Sequence, residues 1–371
     1  MSVRMTAEFR EAPDVVRRQA PVVARPIADL VAVLARASPR LVVTCARGSS
    51  AHAATFGKHL IERHLGIPVA PVAPNIATVY GQRLDLDHQL FLAISQSGRS
   101  DDLVETAAMA REAGALTAAV VNDTESPLAA ACQLVLPMAA GMERSVAATK
   151  SFVSSLAVLL RLTAAWKSDR ALAGAIDRLP DRLALAADLD WSAALGVLAA
   201  ADSLVTIGRG PTLAIAREAA LKLKETGNLH AEAFSSAEFQ HGPVALVSRR
   251  YPVLMFTPND AAAAGLTELA ADLTGKGAAV FRTESIPHPI RSGAGREPVP
   301  RAVADTALGS PLARRRAEPA STSLPALPPD HPEADAVCLV QSFYGLAVRL
   351  ADQRGSNADA PRHLQKITRT R

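Results

Sequence analysis

Short apolar runs at Arg40–Cys45, Val69–Ala73, Leu90–Ile94 and Leu116–Val121 predict buried strands. Between them, apolar positions recur at helical spacing, from about residue 51 to 65 and from 101 to 113. Strands that alternate with helices in this way predict a parallel sheet covered on both faces. Residues 8 to 38 read as helical ahead of the first strand. Phe152–Trp166 is the most apolar long stretch, but Arg161 interrupts it and it is too short to span a bilayer, so it predicts a buried helix.

The same order of elements then repeats. Leu204-Val205-Thr206-Ile207-Gly208-Arg209-Gly210 echoes the run from Leu41 to Gly48, and a long helix follows from Thr212 to Thr226. Pro252–Thr257 echoes Leu90–Ser95, Gly277–Phe281 echoes Leu116–Val121, and the apolar stretch Ala334–Leu350 matches Ser145–Trp166. Two similar α/β halves are therefore expected. The predicted division is a helical segment at 1–39, a first α/β domain at 40–168, a linker helix at 169–190, a second domain at 191–350 and a tail at 351–371. Residues 284–327 break the pattern. They are rich in Pro, Arg, Ser and Ala without apolar periodicity, and read as a disordered insertion or as sequence altered by an error of reading frame.

Composition narrows the classes of function. The net charge of +4 hints at nucleic acid, yet residues 285–323 hold six arginines against Glu297, Asp305 and Glu318, so the rest of the chain is nearly balanced and no broad basic face is predicted. The three cysteines, Cys45, Cys132 and Cys338, lie far apart and form no Cys-x-x-Cys pair, which predicts neither a disulfide framework nor a zinc site. The start, Met1-Ser2-Val3-Arg4, lacks the apolar core of a signal peptide. A cytoplasmic protein with no nucleic-acid or membrane partner is expected.

Candidate chemistry sits at the carboxyl ends of the predicted strands, where parallel sheets bind ligands. Ser95-Gln96-Ser97-Gly98-Arg99-Ser100-Asp101 joins the Leu90–Ile94 strand to a helix, and Gly48-Ser49-Ser50 follows the first strand. Such a turn offers backbone N–H groups and the positive end of a helix dipole to an anion, a phosphate in particular, although the same residues also serve as an ordinary helix cap. On the helix 212–226, Lys222 and Glu225 share a face, which gives the carboxylate an ammonium neighbour; most such pairs are solvated surface pairs. His241 precedes Gly242-Pro243, which places it on a turn, where an imidazole can move protons near neutral pH. Spacing suggests no metal site.

Taken in order, Gly48-Ser49-Ser50, Ser95-Gln96-Ser97-Gly98, Val146-Ala147-Ala148-Thr149-Lys150, Ala220-Leu221-Lys222-Leu223-Lys224-Glu225, His230-Ala231-Glu232, His241-Gly242-Pro243 and Pro361-Arg362-His363-Leu364-Gln365-Lys366 resemble the sugar-isomerase (SIS) domain family. The likeness is to the isomerase half of glucosamine-6-phosphate synthase and to stand-alone SIS-type glucosamine-6-phosphate deaminases. It runs from about residue 8 to the end, excluding 284–327. The resemblance implies two tandem doubly wound, flavodoxin-like domains and no cofactor. It implies that Ser50, Ser95, Gln96, Ser97 and Ser100 bind the phosphate of a sugar phosphate and that Val146 lines the pocket. Glu225 is then the base that moves a proton between C1 and C2, with Lys222 in support. His241 assists ring opening from a neighbouring subunit, so a homodimer with a shared site is expected. Lys366 engages the open-chain sugar, and the tail closes the site. Ser100 stands where the synthase has threonine, Ala148 where it has serine, and Gln365 and Ile367 replace the residues flanking its lysine.

The synthase needs a glutaminase half with an amino-terminal cysteine, for which a chain beginning Met1-Ser2 is expected to have no room. The expected activity is therefore breakdown of glucosamine 6-phosphate and water to fructose 6-phosphate and ammonia. Alternatives are a deaminase or isomerase of another phosphosugar, such as galactosamine 6-phosphate, a synthase lacking its glutaminase half, and a non-catalytic amino-sugar-phosphate sensor. The sensor is disfavoured because residues 1–40 do not carry a helix-turn-helix pattern.

Overall fold

A computed structural model describes residues 3–286 and 321–366. The first half comprises α1 (Val3–Ala37), β1 (Val42–Ala46), α2 (Gly48–Leu65), β2 (Val69–Pro71), α3 (Asn75–Thr78), β3 (Leu90–Ser95), α4 (Asp101–Glu112), β4 (Leu116–Val121), α5 (Pro127–Ala131), β5 (Leu134–Pro137) and α6 (Lys150–Lys167). The second comprises α7 (Arg170–Ala186), α8 (Leu195–Ala199), β6 (Ser203–Gly208), α9 (Thr212–Gly227), β7 (His230–Ser235), α10 (Ser236–Gln240), β8 (Pro252–Phe256), α11 (Ala263–Gly275), β9 (Ala279–Ser285), β10 (Thr322–Ala326) and α12 (Pro332–Gln353).

Two parallel five-stranded sheets result, in the orders β2-β1-β3-β4-β5 and β10-β9-β8-β6-β7. Read from the other edge, the second order repeats the first, so the predicted two-fold repetition is real in three dimensions. Both sheets have the strand order of flavodoxin-like doubly wound folds. Every residue of β3 and of β8 is buried, as expected for central strands covered on both faces. One large core joins α1, α2, α6, α7, α9 and α12 between the sheets, and a smaller core lies on the outer face of each sheet. Helix α1 continues through Pro13, Pro21 and Pro26. Its stripe of Phe9, Ala12, Val16, Val23, Ile27, Leu30 and Leu34 is buried in that core, and this burial outweighs the helix hydrogen bonds that the prolines cannot make.

Two expectations are corrected, and one strand is added. The irregular segment is shorter than 284–327: Glu284 and Ser285 end β9, and Thr322–Ala326 is a strand paired in parallel with it, Leu324 opposite Thr283. Polar residues at its edge hid this strand, whose Leu324 and Ala326 face the core. The remainder of that expectation, residues 287–320, lies outside the described residues. Helix α6 begins at Lys150, and Ser145–Thr149 form the loop that enters it. His230–Ser235 is an edge strand parallel to β6. Among the described residues, the helix long and apolar enough to be compared with a membrane span is α12, of which 83% of the most apolar window is buried within the protein, as befits a core helix.

Candidate functional site

Strands β1 and β3 are hydrogen-bonded neighbours, so the turns at their carboxyl ends lie side by side. Arg47 ties them together, donating from Nε and a terminal nitrogen to Asp102 Oδ2 at 3.0 and 2.7 Å. In the second turn the Gly98 N–H donates to Ser95 Oγ at 3.1 Å, and the Arg99 N–H donates to Ser97 Oγ at 3.3 Å. Gly98 adopts φ +62°, and a Cβ there would lie 2.1 Å from Ser126 Oγ, so only glycine closes this turn. Ser100 precedes α4 without capping it through its side chain, and Ser50, Gln96, Ser97 and Ser100 are part-exposed. The Ser95 and Ser97 hydroxyls thus help to fix the shape of this turn by accepting from its own backbone.

Helix α9 faces the first of these turns. Lys222 is fully buried, with its ammonium 2.5 Å from Glu225 Oε2, 3.1 Å from Ser49 Oγ and 3.3 Å from Glu218 Oε1. The solvated surface pair expected of this spacing is therefore replaced by a buried cation among two carboxylates and a hydroxyl. Burial pulls the Lys222 ammonium toward neutrality, but Glu218 and Glu225 outweigh it and raise its pKa to about 12. Glu218 is also fully buried, accepting from Ser49 Oγ at 3.0 Å and lying 2.8 Å from His52 Nδ1. Burial pushes its carboxyl up, but Lys222 and the hydrogen bonds from His52 and Ser49 leave it below the usual carboxylate range. Glu225 keeps part of its side chain open and lines a cleft of about 650 Å³ between the end of α9 and the tail, beside Asn228, Ser356, Pro361 and Leu364.

The tail approaches from the other side. Lys366 donates to the Ser145 carbonyl at 2.6 Å and lies 3.3 Å from Glu143 Oε2. Glu143, itself buried, accepts from the Thr149 N–H at 2.9 Å and from the Ser151 hydroxyl at 2.5 Å. Val146, part-exposed, donates its N–H to the Asp359 carbonyl at 3.4 Å. Burial first, then the charges of Glu218, Glu143 and Glu225, pushes the phenol of the fully buried Tyr344 well above its ordinary value.

Of the residues singled out in the sequence, the fold brings Lys222 and Glu225 against the Gly48–Ser50 turn and sets Lys366 on the Ser145 carbonyl. Glu218, His52 and Glu143, which complete these two clusters, were not singled out there. Glu218 was detectable as the residue one turn before Lys222, but its burial comes from α2 packing across α9, which no local pattern reveals. His241 sits exposed on the turn after α10, as expected, and the cleft at Glu225 is lined without it. Among the described residues no group of three or more His, Cys, Asp or Glu side chains is placed to hold a metal ion.

The SIS domain family matches residues 35–165 and 197–281, more than half of the chain and both sheets. The chain belongs to this family. It is similar to a glutamine–fructose-6-phosphate aminotransferase of Symbiobacterium thermophilum, with 38% identity over 229 residues, 58% of this chain and 37% of that protein. The chain thus spans well under half the length of that relative. A candidate phosphosugar isomerase from Silicibacter pomeroyi shares 40% identity and a TM-score of 0.83, over 96% of this chain and 99% of the other. A glucosamine-6-phosphate deaminase from Thermotoga maritima has the same fold, with a TM-score of 0.65 at 20% identity, over 97% of this chain and all of the other. The chain thus shares with these proteins the two-sheet SIS fold described above.

Proposed function

We propose that this protein is a glucosamine-6-phosphate deaminase that converts glucosamine 6-phosphate and water to fructose 6-phosphate and ammonia. The observation that carries this reading is the buried Glu218-Lys222-Glu225 ladder set against the Gly48–Ser50 turn. Moving an amino aldose to its ketose imine needs one carboxylate that takes a proton from C2 and returns it to C1. Glu225 is the carboxylate of the three that keeps access to a cleft.

In this reading the phosphate lies against the turns at Ser50 and Ser95–Ser100, where hydroxyls and backbone N–H groups accept it, and its binding energy holds the open chain in register. Glu225 carries the proton, Lys222 steadies it, Lys366 faces the sugar chain from the tail, and water releases ammonia from the imine. The thiols of Cys45, Cys132 and Cys338 are buried, and burial pushes each up to about 12, so the chemistry assigned to this chain is carried by its carboxylates and lysines. His241, which does not line that cleft, serves the site of a second copy, which makes the active species a homodimer.

The test incubates the protein with glucosamine 6-phosphate, without glutamine, and follows ammonia and fructose 6-phosphate together. Equal appearance of both supports the deaminase. Interconversion of sugar phosphates without ammonia refutes it in favour of a plain ketol isomerase, and the galacto epimer, run in parallel, tests the choice of sugar. Glu225→Gln and His241→Ala variants, each inactive, should regain activity when their subunits are mixed; failure to do so removes the shared site.

A further inference from the structure

We propose that Glu218 is a positioning residue: clamped by Ser49 and His52 of α2, it fixes Lys222 against Glu225 and makes the phosphate turn and the proton-carrying carboxylate one rigid unit. The inference rests on the reading of Glu225 as the proton carrier. A buried carboxylate costs several kcal/mol unless it is paired and hydrogen-bonded, so Glu218 persists because it is satisfied on every side. Its two oxygens divide the work. Oε1 accepts from Ser49 Oγ at 3.0 Å and faces the Lys222 ammonium at 3.3 Å, while Oε2 lies 2.8 Å from His52 Nδ1.

The Lys222 ammonium has three hydrogens and three polar neighbours: Glu225, Ser49 and Glu218. No freedom is left for it to turn away. Because Ser49 gives its own hydrogen to Glu218, its oxygen lone pair is aimed at Lys222. Ser49 also adjoins Ser50 in the turn expected to hold phosphate. A displacement of that turn therefore passes through Ser49 to Lys222 and on to Glu225, over two hydrogen bonds. Glu218 has an electrostatic part as well. It shares the Lys222 charge, and in its absence that charge acts on Glu225 alone and makes it a weaker base.

The experiment measures kcat and KM for glucosamine 6-phosphate across pH for the full chain and for Glu218→Gln, Ser49→Ala and Ser49→Thr. Glu218→Gln should lower kcat about 100-fold, the cost of a misplaced catalytic group. KM should stay within about threefold, since substrate binding is untouched. The acid limb of the kcat profile should move to lower pH, which a merely structural defect does not cause. Ser49→Ala, which deletes one hydroxyl and keeps the fold even where Glu218→Gln does not, should lower kcat about tenfold, and Ser49→Thr should restore most of it. Unchanged kcat in Ser49→Ala overturns the inference, as does an unmoved profile in an active Glu218→Gln or a loss confined to KM. A wild-type chain that turns over no sugar phosphate overturns the functional reading instead, and the inference with it.

Discussion

Glu333→Gln is expected to destabilise the protein in a pH-dependent way. Glu333 begins α12 and is fully buried, yet it has four basic side chains around it. Arg63 lies at 2.8 Å, His331 at 2.8 Å, His64 at 3.0 Å and His59 at 3.7 Å. Arg63 also reaches Asp260 at 3.1 Å, and Asp169 lies 4.0 Å from His64. Burial pushes the Glu333 carboxyl up, but its histidine and arginine partners pull it far below the carboxylate range. His331 is raised, first by its bond to Glu333, against the opposing effect of burial. Removing one partner from a buried ion pair costs about 3–5 kcal/mol. Arg63 is 41% exposed and recovers water when its partner goes, so the lower end, about 3 kcal/mol, is expected. The sign follows from both groups. Glu333, whose pKa falls on folding, contributes fully above its unfolded value of 4.5, and His331, whose pKa rises, contributes fully below its unfolded value of 6.5. The contribution is therefore greatest between these values and declines as pH rises through the folded value of His331. Urea unfolding of both proteins at pH 5.5, 7 and 8.5 measures it. A difference below about 1 kcal/mol, the scale of an exposed pair, or one that grows toward pH 8.5, refutes the argument.

Two further substitutions probe single contacts. Gly98→Ala forces a side chain into left-handed backbone and onto Ser126 Oγ, and should cost about 2–4 kcal/mol in denaturant unfolding; a change within about 0.5 kcal/mol would mean that the turn relaxes freely. Tyr344→Phe removes a buried hydroxyl that has no hydrogen-bond partner among the described residues, so stability should hold or rise by up to about 1 kcal/mol, and a clear loss on thermal unfolding would reveal a partner for that hydroxyl.

What was legible in the sequence was what local pattern encodes. Continuous apolar runs marked β1, β3, β4, β6 and β8 because central parallel strands are buried on both faces. Both edge strands of the second half escaped for the same reason in reverse: His230–Ser235 and Thr322–Ala326 carry polar residues on their open sides. The Lys222–Glu225 pair was readable because residues three apart on a helix share a face. Whether such a pair is a surface decoration or a buried catalytic unit depends on α2 lying across it, a contact between residues 173 apart in sequence for Ser49 and Lys222. The cluster at Glu333 was invisible for that reason too, since His64 and Glu333 are separated by 269 residues.

Helix α2 explains why two similar halves present such different strand ends. Its first turns, through Ser49 and His52, meet the α9 ladder, where Glu225 keeps access to a cleft. Its last turns carry His59, Arg63 and His64 to Glu333 and, through Arg63, to Asp260 in the loop that follows β8. That loop is the counterpart of Ser95–Ser100 in the repeat, so basic groups that could have received an anion at the second half's strand ends are already neutralised by the protein's own carboxylates. The duplicated fold thus divides its labour along one helix. At one end of α2 the charge network reaches a cleft through Glu225, and at the other it is closed on itself and joins the first half to α12.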